Sequence, residues 1–164
     1  MRSRTLLKPL LSREKFSWAL QLSLTVTIAF FIAEFFALQF AASAAIIAML
    51  ASITLKNKPK ILPAIVEWYL SITIGSVLII LYEILNYNIF VLFLMLLIYY
   101  SILLAFQFTE CMVISTVIVT HYFGAANLTL AVVLNEFSLL TIGVMVSAIL
   151  TLLVRSNSNK NSTH

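Results

Sequence analysis

Aspartate is absent from this chain of 164 residues, cysteine occurs once and glycine three times, and only 10% of the residues are charged. A single cysteine, Cys111, leaves no internal disulfide and no cysteine metal cluster. With no aspartate, and with His121 and His164 as the only histidines, zinc-hydrolase and two-metal chemistries lack ligands. Gly75, Gly124 and Gly143 stand far apart, which excludes a glycine-rich phosphate loop and a GxSxG elbow. No cofactor and no metal are implied. No nucleophile and base are recognisable as a pair, so the reading is of a protein that is not an enzyme.

What the chain has in quantity is apolar surface. Hydrophobic residues make up 62% of it, and a soluble domain, about a quarter charged, could not hide that much. The apolar runs are Phe16 to Phe36, Leu38 to Leu55, Ile61 to Ile84, Asn88 to Phe106, Thr109 to Phe123 and Leu128 to Val154. We read an all-α integral membrane protein, a bundle of six transmembrane helices spanning residues 16–154. A basic interfacial segment, residues 1–15, precedes it, and a short polar tail without regular structure, residues 155–164, follows. The fifth run is short: 15 residues rise about 22 Å, against a hydrocarbon core of about 30 Å.

Charge sets the orientation. Arg2, Arg4, Lys8, Arg13 and Lys15 precede the first run, Lys56, Lys58 and Lys60 lie between the second and third, and Arg155 and Lys160 follow the last. Six crossings with N- and C-termini cytoplasmic place all ten inside, and a five-span reading strands the last two outside. The loops near Leu38, Tyr87 and Ala125 then face outward. The net charge of +4 is explained by topology, so the expected partner is the lipid bilayer and not nucleic acid. Leu6, Leu7, Leu10 and Leu11 beside Arg4, Lys8 and Arg13 suit a short interfacial helix from Ser3 to Lys15.

A carboxylate near mid-membrane costs roughly 2.5 to 3.5 kcal/mol on insertion scales, so intramembrane acids should face protein or water. At about 100° per residue, Ser23, Thr27 and Glu34 share one face of the first span. Glu136, Gly143 and Ser147 repeat those offsets on the last, beside Asn135. Glu110 and His121 share a face near the two ends of the fifth. Ala41, Ala45, Ala48 and Ser52 give the second span a smooth side, and Ser71 and Gly75 form a small-xxx-small pair one turn beyond Glu67, which admit close helix packing. Two readings stay open for these groups. Glu34, Glu83 and His121 lie near outer ends and can reach headgroup water, and the lysines are explained by topology. Glu67 and Glu136 sit deeper and divide evenly between a transport role and structural hydrogen bonding.

These residues also resemble a family. The order and spacing of Ser43-Ala44-Ala45-Ile46-Ile47-Ala48, of Glu67 with Ser71 and Gly75, of Glu110, His121 and Asn135-Glu136, and of Ile142-Gly143 are similar to the membrane domain of bacterial aromatic acid exporter family proteins, within the broader fusaric acid resistance group. The resemblance covers roughly residues 15 to 154. It implies a multi-pass protein of the bacterial plasma membrane that exports aromatic carboxylic acids or related small molecules. Six spans are few for both walls of a passage, so a homo-oligomer is expected, and the intramembrane acids suit proton coupling better than binding of an anion. Glu67, Glu110, Glu136, His121 and Glu34 are then the coupling candidates. The rival expectation is a non-transporting assembly subunit whose intramembrane acids are packing elements.

Overall fold

The computed structural model describes residues 12–85, 88–124 and 129–161. Most of the expected interfacial segment, and the loops near Tyr87 and Ala125, lie outside these residues. Every regular element described is an α-helix: α1 (Arg13–Phe35), α2 (Ala41–Asn57), α3 (Ile61–Ile84), α4 (Ile89–Ala105), α5 (Met112–Gly124) and α6 (Leu130–Asn161). Three of them, α1, α3 and α6, are long and apolar enough to cross a membrane, and α2, α4 and α5 are shorter apolar helices.

The six helices match the six apolar runs, and α3 does so residue for residue. The last departs from expectation, because α6 continues through the polar residues 155–161. A helix already nucleated and packed adds one backbone hydrogen bond for each further residue it orders, so it propagates past the end of its apolar stretch. Ser12 caps the start of α1, its side chain accepting the Lys15 backbone N–H.

The chain runs up and down between two ends of the bundle. At one, the lysine end, the Lys56 ammonium sits 4.2 Å from the ring centroid of Trp18 near the start of α1. Lys58 in the α2–α3 connection meets Glu110 just before α5. Arg155 near the end of α6 donates to the carbonyls of Leu55 and Lys58 at 2.6 Å. At the other, the histidine end, the α1–α2 turn meets the end of α5 and the start of α6. Short as it is, α5 reaches from one end to the other, since Glu110 just precedes it at the lysine end and His121 lies in its last turn at the histidine end.

With so few glycines, none falls in the described turns. The chain leaves α1 through Ala37 at φ 50° and α4 through Gln107 at φ 60°, both left-handed. In each turn the next amide reaches back to the helix: Leu38 to the Ala33 carbonyl, and Phe108 to the Leu103 carbonyl. This is the Schellman closure, usually made by glycine.

The helices group into two sets of three. α2 packs extensively on α6 and α1, α1 packs on α6, and α3 packs on α5 and α4. Between the sets the packing is narrower: α2 meets α5 and α3 meets α6, and His121 of α5 reaches Glu136 of α6. A buried core of Ile47, Leu55, Trp68, Ile72, Leu103, Ile114, Ile118, Leu139, Leu140 and Val144 runs through both. Outside it lies a girdle of exposed apolar side chains, among them Phe31, Leu62, Phe90, Phe93 and Leu152. Helix α4 fully buries Tyr99 and Leu103 and turns about half of its residues outward. A bilayer covers such a girdle.

Candidate functional site

Polar groups converge at the histidine end. Glu136, on α6, is a fully buried carboxylate at 0% exposure. One of its oxygens takes a hydrogen bond from His121 Nδ1 at 2.7 Å and the other takes one from Asn135 Nδ2 at 3.1 Å. With Nδ1 protonated to meet the carboxylate, the Nε2 of His121 faces Ser43 Oγ at 2.9 Å. The neutral ring accepts the Ser43 hydroxyl proton there, and the charged ring donates to the Ser43 oxygen. The contacts form one chain from Asn135 through Glu136 and His121 to Ser43.

The surroundings fix this arrangement. Asn135 clamps the Gln39 peptide from both sides, accepting its N–H at 2.8 Å and donating to its carbonyl at 3.1 Å. That clamp holds the α1–α2 turn against α6. Phe40, which begins α2, adopts φ 59° and ψ 38°, a left-handed backbone that a bulky side chain rarely takes. Its ring stacks on the His121 imidazole with centroids 4.6 Å apart and planes 15° from parallel. The strained residue thus covers one face of the His121 ring.

Below this cluster the α2–α6 interface is built of small residues. Ala41, Ala45, Ala48 and Ser52 are all buried; on α6 the buried Ser147 meets Ala48 and Ser52, and the buried Gly143 meets Ala44 and Ile47. Ser52 donates to Ser147 at 3.1 Å, and Ser147 donates on to the Ala48 carbonyl at 2.6 Å. A Cβ added at Gly143 would lie 2.9 Å from the Ala44 carbonyl oxygen and 2.7 Å from Ile47, so the two backbones meet as closely as they can.

The other half satisfies its polar groups through long side chains. Ser115 donates to the Cys111 carbonyl, which leaves Ser71 to donate to Ser115 and Tyr99 to donate to Ser71 at 3.1 Å. Ser76 donates to the Ile72 carbonyl, so Tyr122 donates to Ser76 at 2.9 Å. Gly75 is buried under Val119 and the Tyr99 ring.

The structure therefore gathers some of the expected site residues and separates others. Glu136, His121 and Asn135 meet at one end. Glu110 lies at the opposite end, paired with Lys58 at 3.1 Å and half exposed, and Glu67 is half-buried on α3. Glu34 is exposed at the end of α1, and Ser23 and Thr27 lie on its exposed face. Ser23 bonds its own helix at the Ala19 carbonyl, while Thr25, Ala29 and Ala33 form the buried side. Among the described residues no group of three or more His, Cys, Asp or Glu side chains could hold a metal ion. The sequence reading missed the parts played by Gln39 and Phe40. The left-handed Phe40 had no signal.

A family model described as aromatic acid exporter family member 1 matches residues 16–154. The chain belongs to that family. The match takes in all of the apolar helices and every residue of the buried cluster, and it makes the protein a membrane exporter by kind. No curated protein and no solved structure is significantly similar to it.

Proposed function

We propose that this aromatic acid exporter family member moves aromatic carboxylic acids out across the bacterial plasma membrane, coupled to proton entry through Glu136 and His121. The observation that carries the reading is the buried pair itself. A carboxylate at 0% exposure, bonded to a titratable ring at 2.7 Å, is an expensive group to place in a span, and such groups mark proton relays. The six helices are read as six crossings with both termini inside. The lysine end, which gathers Lys56, Lys58 and Arg155, is then cytoplasmic, and the histidine end external.

In this orientation an aromatic anion first meets the basic cytoplasmic end, where Glu110 and Glu67 stand on the inner side. A bare carboxylate repels an anionic substrate, so the acids act by taking up and releasing protons and not as direct ligands. Six spans are few for two walls of a passage, which favours a homo-oligomer. The test is flux of benzoate in proteoliposomes with an imposed pH gradient. Glu136→Gln, which keeps shape and hydrogen bonding but cannot titrate, should abolish gradient-driven export and leave gradient-free exchange.

One observation favours the assembly-subunit reading, namely that both Glu136 oxygens are already bonded within a packed interface. On that reading Glu136→Gln is silent for flux. Gradient-driven flux at the wild-type rate in the stably folded variant would remove Glu136 from the mechanism.

A further inference from the structure

The narrow seam between the two halves carries polar contacts at three heights. At the histidine end Ser43 of α2 meets His121 of α5, and His121 meets Glu136 of α6. At the lysine end Lys58, whose carbonyl is held to α6 by Arg155, reaches Glu110 before α5. Between them, Tyr69 of α3 meets α6 twice. Its hydroxyl lies 2.6 Å from Thr141 Oγ1, and its ring stacks on Phe137 with centroids 6.3 Å apart and planes 29° from parallel.

The middle contact has the chemistry of a ligand site. Thr141 gives its own proton to the Phe137 carbonyl at 2.7 Å, so the Tyr69 hydroxyl is the donor between them. That donor can turn to a ligand oxygen while Thr141 stays satisfied. Tyr69 and Phe137 are half-buried and Thr141 is exposed, unlike the sealed Tyr99 and Tyr122 contacts of the neighbouring helices. The place lies about 12 Å along α3 from its start and about 16 Å along α6 from its own, near the middle of the bundle. An aromatic ring fits against a near-parallel pair, and a carboxyl group fits an available phenolic donor.

We propose that Tyr69, Phe137 and Thr141 form the seat for the substrate's ring and carboxyl group in the seam between the halves. The His121–Glu136 contact closes the seam at one end and the Lys58–Glu110 contact closes it at the other. The proposal rests on the exporter reading above. It assigns residues other than the buried His121–Glu136 pair, and it places the seat between α3 and α6 of each protomer.

The seat is tested with benzoate and its saturated counterpart cyclohexanecarboxylate in gradient-driven proteoliposome flux. Phe137→Leu should raise the half-saturating benzoate concentration by about three- to tenfold, the range of one aromatic contact, with little change for cyclohexanecarboxylate. Tyr69→Phe should weaken both acids alike. A third measurement uses Thr141→Cys in a Cys111→Ser background, where benzoate should slow modification of the introduced thiol by a maleimide. Wild-type concentration dependence in the Phe137 and Tyr69 variants, with no benzoate protection of that thiol, would overturn the seat while leaving the exporter reading standing. A wild-type protein that does not move benzoate, together with a modification rate that benzoate leaves unchanged, would overturn both.

Discussion

The two halves solve one problem in different ways. In a bilayer the hydrophobic effect does not drive helices together, because lipid tails are as apolar as side chains, so association relies on close packing and hydrogen bonds. Helices α1, α2 and α6 use closeness: alanine, serine and glycine let backbones touch, as where Gly143 lies over the Ala44 carbonyl. Helices α3, α4 and α5 keep bulkier side chains and add tyrosines that reach serine and threonine, as Tyr99 does to Ser71 and Tyr100 to Thr116, beside the direct Ser71–Ser115 contact. The first design cannot yield when an atom is added. The second has side chains that can turn aside.

The sharpest way to break this comparison is to add volume in the close half. Ala48→Leu and Gly143→Ala should each destabilise by about 3 kcal/mol, the upper end for overpacking, because the obstacles at Gly143 include backbone. Thermal unfolding in detergent and the size-exclusion profile should both show it. An unshifted midpoint for Gly143→Ala would mean that the two backbones separate freely. Next in size is Glu136→Ala, which leaves His121 and Asn135 without their carboxylate partner and should cost about 2 to 3 kcal/mol. Glu136→Gln should recover most of that.

Smaller effects belong to the other half. Gly75→Ala meets the Val119 side chain at 2.8 Å and no backbone atom, so it should cost less than Gly143→Ala, about 1 to 2 kcal/mol. A loss as large as that of Gly143→Ala would erase the distinction between the halves. Tyr99→Phe removes the donor that heads its hydroxyl chain and should cost about 1 kcal/mol. The smallest effect is expected of Lys58→Ala, since its partner Glu110 is 46% exposed and ion pairs in water contribute about 0 to 1 kcal/mol. That variant should change stability little in the same unfolding measurement.

How far the sequence alone reaches can be followed residue by residue. Long apolar runs mark helices because a membrane leaves the backbone few other ways to satisfy itself, and α3 begins and ends where its run does. The small side of α2 was legible because its spacing repeats on one face. Orientation about the axis was harder to read. Ser23 and Thr27 share a face of α1, yet the side that packs carries Thr25, Ala29 and Ala33, whose small size admits α2 while Ser23 satisfies itself on its own helix. Depth singled out Glu136 in the sequence. Its partners were not legible as a set, for His121 lies 15 residues away and Ser43 lies 78 from His121, distances that no local period encodes.

Arg155 gives the fold a direction in time. Its guanidinium completes the end of α2 by holding the carbonyls of Leu55 and Lys58, which lie about a hundred residues earlier. A chain emerging from the ribosome makes α1 and α2 long before it makes α6. Until then α2 has no partner for the side that receives Gly143 and Ser147, and its last turn has no cap. The early helices must therefore wait in the lipid, unfinished, for the final segment to arrive. A nascent chain arrested before residue 130 should remain open to protease or to quality-control recognition at the α2–α3 connection, and release of the complete chain should close that site.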